Sequence, residues 1–279
     1  MSGGFPNIDA SICNGTDIGT VAASSLGTLI TAGSTANTKG ASYTTLIAST
    51  VNDTTWVLFQ GGHQAFNSNC VAVDLAVGAA SSEVIIANNL ACKLLGSSTA
   101  NAVTQYVFPV SIPAGSRVSA RAQADVGSDT VSVSVMLFDS AFSVFEGAGV
   151  DSVGFLTAST TGTVMTASSS ANTKGNYAVL TPSTARDYIG VIPVTDWGGS
   201  SAPIGSFLYD ISIGASTFEI PILPNMQAGK YGTSQGYPHT PTGGQFLPVQ
   251  IPAGTRITAR CQCSTASGFL GITLYGVYQ

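Results

Sequence analysis

The sequence predicts an all-β protein built of two tandem, internally duplicated β-sandwich domains that are jelly-roll-like. Three observations predict this fold. Short runs in which apolar and polar residues alternate recur along the chain, bounded by Gly, Pro, Asn and Ser. Helical periodicity is scarce. Blocks of sequence also recur in the same order in the two halves. About seven or eight short strands in each half are typical of a sandwich.

The internal repeat consists of four collinear blocks, whose offset drifts only from 135 to 139 residues. Chance would not order four blocks in this way, so the chain contains two copies of one domain. We expect these domains to span residues 1–142 and 143–279, with a linker at Glu146-Gly147-Ala148-Gly149. The matching blocks are Gly27–Ala32 with Gly162–Ala167, Ala36–Gly40 with Ala171–Gly175, Asp74–Gly78 with Asp210–Gly214, and Ile112–Arg117 with Ile251–Arg256.

The end of each repeat carries the clearest strand pattern. Pro113-Ala114-Gly115 suits a β-turn with Pro in the second position and Gly in the fourth. Alternation from Val118 to Ala124, and again from Val131 to Leu137 after a turn at Val126–Asp129, predicts two strands. We expect them to form an amphipathic hairpin with one packed face. The second repeat has the same pattern in Ile257–Cys263 and Leu270–Leu274.

The composition favours a protein that sits in an assembly. Charged residues make up 8% of the 279 residues, against roughly 25% in ordinary soluble proteins. A surface with so few charges has little colloidal repulsion and tends to associate. A secreted monomer with a surface rich in Ser and Thr is the alternative interpretation.

Several partner classes are disfavoured. The net charge is −5 and there is no run of Lys or Arg, which argues against nucleic acid. No apolar stretch reaches the ~20 residues of a membrane helix, and Met1–Ala10 lacks the features of a secretory signal. The five cysteines have an odd count and irregular spacing, which does not predict a disulfide framework. We therefore expect synthesis in a reducing cytoplasm.

No residue pattern predicts a metal or cofactor site. Cys261-x-Cys263 would need further ligands at matching spacing. These cysteines align with Ala122 and Ala124 of the first repeat, so we interpret them as small buried residues. No phosphate-binding Gly-Lys-Ser/Thr loop and no dinucleotide fingerprint is present.

No residue is predicted to be catalytic. His63 and His239 lie outside the repeated blocks, and no Gly-x-Ser-x-Gly elbow accompanies them. Asp74 with Glu83 could suit a glycosidase. The pair recurs as Asp210 with Glu219, and its duplication favours a structural role.

The candidate contacts with a partner or ligand are four arginines and two tyrosines. Arginines four residues apart in a strand share a face, where they could pair with acidic residues or contact another chain. The tyrosines lie in a stretch rich in Gly and Pro, residues 229–244, that could reach a partner or stack on a sugar. The repeated Ala-Asn-Thr-Lys-Gly block predicts a turn with Asn or Gly in left-handed geometry. The candidate contact residues are Arg117, Arg121, Arg256, Arg260, Tyr231 and Tyr237.

The chain resembles virion structural proteins of tailed bacteriophages. The resemblance is carried by the paired Ile-Pro-Ala-Gly-Ser/Thr-Arg turns at residues 112–117 and 251–256, each followed by an Arg-x-x-x-Arg strand. The low charge and the composition rich in Gly, Ser, Thr and Ala fit as well. The resemblance implies a place in the virion, in the tail tip or fibre or as a capsid decoration, and it implies no catalytic residue.

The leading hypothesis is therefore a non-enzymatic assembly or attachment module on a phage particle. Its expected partners are copies of itself and other virion proteins. The second hypothesis is a carbohydrate-binding or host-receptor-binding adhesin, in which Tyr231, Tyr237 or Trp197 would contact a host surface glycan. The third is a hydrolase that depends on His63 or His239.

Overall fold

The structure, a computed structural model, describes residues 27–62, 70–93, 103–138, 145–160, 162–196, 205–230 and 246–279. These residues form sixteen β-strands and contain no α-helix. Within these ranges there is accordingly no helix that could cross a membrane. The predicted all-β class is confirmed.

The strands fall into two groups that follow the sequence repeat. Those of the first repeat are β1 (Thr28–Thr31), β2 (Thr44–Ile47), β3 (Trp56–Gly62), β4 (Cys70–Val77), β5 (Val84–Lys93), β6 (Val103–Phe108), β7 (Val118–Ala124) and β8 (Thr130–Phe138). Those of the second repeat are β9 (Gly149–Val153), β10 (Thr163–Thr166), β11 (Ala178–Thr181), β12 (Tyr188–Asp196), β13 (Gly205–Ile213), β14 (Ile220–Lys230), β15 (Ile257–Cys263) and β16 (Phe269–Tyr278).

The first repeat is a jelly-roll sandwich. One of its sheets has the order β1-β8-β3-β6 and the other the order β2-β7-β4-β5, with antiparallel neighbours throughout. Consecutive strands mostly alternate between the two sheets, so each sheet turns one apolar face towards the other. Val57, Phe59, Val73, Val118 and Val133 are fully buried between them.

The second repeat has the same strand order, except that no strand equivalent to β6 occurs in its described residues. Its sheets are β10-β16-β12 and β11-β15-β13-β14. Leu247 and Ile251 bridge to β12 at Val191 and Tyr188, as the first repeat's Ile112 bridges to Thr54 beside β3. The fold prediction of two duplicated sandwiches therefore agrees with the strand pairing.

The predicted terminal hairpin is wrong. β7 pairs with β2 and β4, whereas β8 pairs with β1 and β3, so the two strands lie in opposite sheets. The segment from Asp125 to Asp129 forms an arch between the sheets. The predicted alternation of apolar and polar residues is present in both strands. In a hairpin the two apolar faces would lie on the same side of one sheet, whereas in an arch they face each other between two sheets. Periodicity along a strand cannot distinguish these arrangements.

The predicted turn at Pro113 is shifted by one residue. The amide of Ser116 donates to the carbonyl of Pro113 at 3.3 Å, so Pro113 takes the first position and Gly115 the third. Gly115 has φ +78°, a conformation that this third position requires of glycine. The turn is anchored by Thr50, whose hydroxyl donates to the Pro113 carbonyl, and by Asp53, which accepts from the Ala114 amide.

The core of the first repeat extends onto the outer face of one sheet of the second, while the interior of the second repeat forms a separate cluster. Ile192, Val194, Tyr275 and Val277 of the second repeat belong to the same buried cluster as the interior of the first. The Tyr275 hydroxyl closes the junction, because it donates to the Asn89 carbonyl and accepts from the Ala91 amide, both at 2.8 Å.

The backbone also connects the repeats. β9 pairs antiparallel with β16 and makes a parallel contact with β5, at Ala87 and Val150, which joins sheets of both repeats. Gly149 of the predicted linker is thus the first residue of a strand, and Gly147 bridges to Val110. The predicted boundary between residues 142 and 143 lies outside the described residues and stays a prediction.

We predict that Tyr275→Phe destabilises the protein by about 1–3 kcal/mol. The substitution keeps the ring but leaves a buried backbone carbonyl and amide without their partner. Chemical denaturation monitored by circular dichroism would measure the loss. A stability within about 0.3 kcal/mol of the wild type would mean that the hydroxyl does not hold the repeats together.

Candidate functional site

A buried carboxylate lies at the centre of the most elaborate polar cluster of the first repeat. Asp74 in β4 is fully buried. Lys39 Nζ donates to both of its carboxylate oxygens at 2.6 Å, and Arg121 Nε donates to Oδ2 at 3.0 Å. The amide of Asn89 donates to Oδ1 at 3.0 Å, and the Arg121 guanidinium lies 4.7 Å from the ring centre of Tyr43. We call these five residues the first carboxylate cluster.

The second repeat contains the same arrangement. Asp210 accepts from Lys174 Nζ at 2.6 Å, from Arg260 Nε at 3.0 Å and from the Asn225 amide at 2.9 Å. The Arg260 guanidinium lies 4.5 Å from the ring centre of Tyr177. We call this set the second carboxylate cluster. Its geometry matches the first cluster to within 0.2 Å for every one of these contacts.

A β-bulge supplies the amide donor in both clusters. The register of β4 with β5 jumps between Val73 and Leu75, so Asp74 lies opposite an extra residue of β5. Asn89 there adopts φ +51°, and Asn225 adopts φ +54° at the equivalent bulge of β14. The bulge turns a backbone N–H away from the strand ladder, where it binds the carboxylate.

The repeated Ala-Asn-Thr-Lys-Gly block positions the lysine. Its Asn37 adopts φ +60° and its Asn172 φ +57°, which confirms the predicted left-handed turn. The amides of Asn37 and Gly40 donate to the carbonyls of Ala124 and Ala122 of β7, so the loop follows the edge of that strand. This route places Lys39 directly over Asp74.

A second ion pair accompanies each cluster. Arg117 Nη1 donates to Glu83 Oε1 at 2.9 Å and to the Gly78 carbonyl at 3.3 Å. In the second repeat, Arg256 Nη1 donates to Glu219 Oε1 and to the Gly214 carbonyl, both at 3.0 Å. Each pair ties the residue before a strand, β7 or β15, to the turn that follows its neighbouring strand, β4 or β13.

The electrostatics favour the ionised form of Asp210, Glu83 and Glu219. Burial by itself would raise the pKa of Asp210, but hydrogen bonds from Lys174, the Asn225 amide and Arg260 outweigh it and lower that pKa. The hydrogen bond from Arg117 lowers the pKa of Glu83. Burial would raise the pKa of Glu219, but the hydrogen bond from Arg256 contributes to an opposing effect that lowers this pKa overall. A general acid needs the opposite shift.

The clusters therefore act as cross-links. Each buried aspartate is enclosed by two cationic side chains and a backbone amide. The same environment therefore occurs in both repeats. The four arginines named as candidate contacts all bind carboxylates of the same chain. They therefore pair with acidic residues, which was the first of the two alternatives predicted for them. Their side chains are 18–30% exposed. Contact with a partner through these exposed parts stays a prediction.

The cysteines of the Cys-x-Cys motif lie in the core. Cys261 and Cys263 are buried like their counterparts Ala122 and Ala124, which confirms their interpretation as small core residues. Burial, with a contribution from Cys263, raises the pKa of the Cys261 thiol to about 12, so it stays a thiol at neutral pH. Among the described residues no group of His, Cys, Asp and Glu is arranged to hold a metal ion.

Several candidates lie outside the described residues. They are Tyr231, Tyr237, Trp197, His63 and His239. Their proposed roles in glycan binding or hydrolysis stay predictions.

Sequence reasoning missed three members of each cluster: Lys39, Tyr43 and Asn89 in the first, and Lys174, Tyr177 and Asn225 in the second. Lys39 and Asp74 both stand in repeated blocks, but nothing in the sequence indicated that these blocks meet. Lys39 and Asp74 recur together as Lys174 and Asp210, and this joint duplication is the sequence signal that could have linked them. Tyr43 and Asn89 also recur, as Tyr177 and Asn225, outside the blocks that were compared.

The comparisons with known proteins give distant similarities in structure. No protein-family model matches the sequence, and no curated protein matches it. PNGase F, a glycosylasparaginase from Flavobacterium meningosepticum, is 8% identical with a TM-score of 0.32, over 90% of this chain and 96% of that one. The CBM22-1-CBM22-2 tandem domain of Paenibacillus barcinonensis Xyn10C is 8% identical with a TM-score of 0.24, over 84% of this chain and 82% of that one. Neither protein's activity is carried over to this chain at that level of similarity.

We predict that Asp74→Asn and Asp210→Asn each destabilise the protein by about 3 kcal/mol. Each change leaves a lysine and an arginine without their carboxylate, and the cations' partial exposure keeps the loss at the lower end of the range for broken buried pairs. Asp151→Asn is the matched control, because its partner Arg186 is 54% exposed, and we expect less than about 1 kcal/mol. Urea unfolding of the three variants measures this difference. Equal losses in all three would contradict the cross-linking role.

We predict that the contribution of Asp210 disappears in acid. Its pKa is lower in the folded protein than the ordinary value of 3.8. The stabilisation is therefore complete above that value and is lost as the pH falls through the folded-state pKa. The difference in the free energy of unfolding between the wild type and Asp210→Asn, measured from pH 7 into acid, should begin to shrink as the pH falls below 3.8. A gap that stays constant or widens in acid would contradict this assignment.

Proposed function

We propose that this chain is a non-enzymatic structural protein of a tailed-bacteriophage virion. It would act as an assembly or attachment module on the particle surface, in the tail tip or fibre or as a capsid decoration. Its partners would be further copies of itself and other virion proteins, and it would be made in the host cytoplasm. The family part of this proposal rests on the sequence resemblance at residues 112–117 and 251–256.

The observation that carries the structural role is the duplicated carboxylate cluster. Active sites are rarely kept in both halves of a duplicated protein, whereas a cross-link that each sandwich needs is kept in both. Asp74, Lys39 and Arg121 recur with the same partners as Asp210, Lys174 and Arg260. These charged groups pair with each other and thereby hold loops against strands.

The surface supports an assembly role. Charged residues are 8% of the chain, and several large apolar side chains lie exposed. Standard interfaces bury roughly 1,200–2,000 Å² in total, and a weakly charged surface loses little hydration when it is covered. The mechanism would therefore be the burial of sheet faces and loops against neighbouring subunits. The most exposed apolar side chains are those of Leu29, Val51, Val84, Leu156, Phe218 and Ile220.

We expect this protein to be found, in many copies, in purified particles from its source. Density-gradient purification followed by quantitative mass spectrometry measures the copy number, with a cytosolic host protein as the control for contamination. Recovery only in the soluble fraction would argue against the virion role.

Two further outcomes separate the alternatives. Turnover of an ester or glycoside panel that is lost in His63→Ala or His239→Ala would overturn the non-enzymatic assignment. Saturable glycan binding that is lost when Tyr231, Tyr237 and Trp197 are all changed to Ala would establish the adhesin alternative instead.

A further inference from the structure

The same sheet face has different surroundings in the two repeats. In the second repeat, the outer face of β12 and β16 carries Ile192 opposite Tyr275 and Val194 opposite Thr273. All four residues are at most 6% exposed, and Ile192, Val194 and Tyr275 pack into the core of the first repeat. This face is the surface by which the second repeat docks.

Among the described residues, the equivalent face of the first repeat is covered only at its Trp56 end, where Phe246 of the second repeat packs against the Trp56 ring. The register of β3 with β8 places Leu58 opposite Met136 and Gln60 opposite Ser134, at the positions of Ile192–Tyr275 and Val194–Thr273. Leu58, Gln60 and Met136 are half-buried, although Ser134 is buried. Val107, which lies beside Leu58 in β6, is 37% exposed. We call Leu58, Val107 and Met136 the first-repeat face.

The receiving surface shows the complementary difference. The second repeat docks against β5 of the first, where four apolar residues are at most 4% exposed. The equivalent strand of the second repeat is β14, whose corresponding apolar residues pack on the edge of that repeat's own core and are still half-buried. We call Met226 and Ala228 the second-repeat side. The four β5 residues are Ile86, Ala87, Leu90 and Cys92, and their counterparts are Ile222, Leu223, Met226 and Ala228.

The internal contact is heterologous, because a sheet face of one repeat meets the side of the other sandwich. A heterologous contact joins two different surfaces, so one contact between two similar repeats engages only one copy of each surface. One sheet face remains on the first repeat, and one sandwich side remains on the second. We infer that these two surfaces bind each other between copies, so that the first-repeat face of one chain docks on the second-repeat side of the next. Repetition of this contact builds a ring or a filament.

The contact between copies should be weaker than the contact within the chain. Met136 stands where Tyr275 supplies two hydrogen bonds to the receiving strand. Gln60 stands where Val194 is buried. The internal contact is also favoured by covalent linkage, which gives the repeats a high effective concentration. We therefore expect association that depends on protein concentration.

This inference deepens the proposed function, since it names one partner and its surface for an assembly module. The two can fail separately. A chain that is found in particles but does not self-associate keeps the virion role and loses this inference, whereas a self-associating chain that is absent from particles does the reverse.

The test is sedimentation velocity of the full chain over a concentration range of about 1–100 µM. We expect the wild type to associate, and Leu58→Asp or Met226→Asp to weaken association at least tenfold, because each buries a charge at one of the two surfaces. Val84→Asp is the matched control, since Val84 is 64% exposed on β5 beside the internal contact, and it should associate like the wild type. Unchanged thermal melting shows that each variant is folded, and Met136→Asp and Ala228→Asp replace any variant that is not.

Mixing the variants tests the head-to-tail geometry. Leu58→Asp keeps an intact second-repeat side, and Met226→Asp keeps an intact first-repeat face. An equimolar mixture should therefore form heterodimers and stop there. A wild type that stays monomeric throughout, association that neither variant weakens, or a mixture in which no dimer forms would overturn the inference.

Discussion

Removing a carboxylate from water costs several kcal/mol unless cations and N–H donors replace its lost hydration. Each repeat buries one such group, Asp74 or Asp210, on the outer side of the sheet that contains it. The requirement for partners then dictates much of the surrounding backbone. A loop must return across the sheet to bring a lysine, a bulge must release an amide, and the neighbouring strand must place an arginine in register. These three features coincide in both repeats because the same buried charge demands them.

The two sandwiches have diverged where they meet. The second repeat has Ile192, Val194 and Tyr275 on a face where the first has Leu58, Gln60 and Met136. This face of the second repeat is buried against the first, and the Tyr275 hydroxyl satisfies the Asn89 carbonyl and the Ala91 amide of β5. The bulge thus serves the carboxylate on one side and the junction on the other.

Much of the fold could be predicted from local patterns. Alternation located β7 and β8 closely, and collinear blocks revealed the duplication. The left-handed asparagines followed from turn chemistry. Sheet membership could not be predicted, because alternation has the same form in a hairpin and in an arch. The carboxylate clusters were missed for a related reason: Lys39 and Asp74 are 35 residues apart, and only the strand order brings them together.

The position of β16 has a consequence for how the chain acquires its structure. This strand pairs with β9, β10 and β12, and its outer side chains complete the core of the first repeat. All of these partners are synthesised before it. The second sandwich therefore stays open, and the β5 side of the first stays uncovered, until β16 has been synthesised, so this apolar surface needs protection during that time. The junction side of the first repeat is thus completed by a strand of the second repeat.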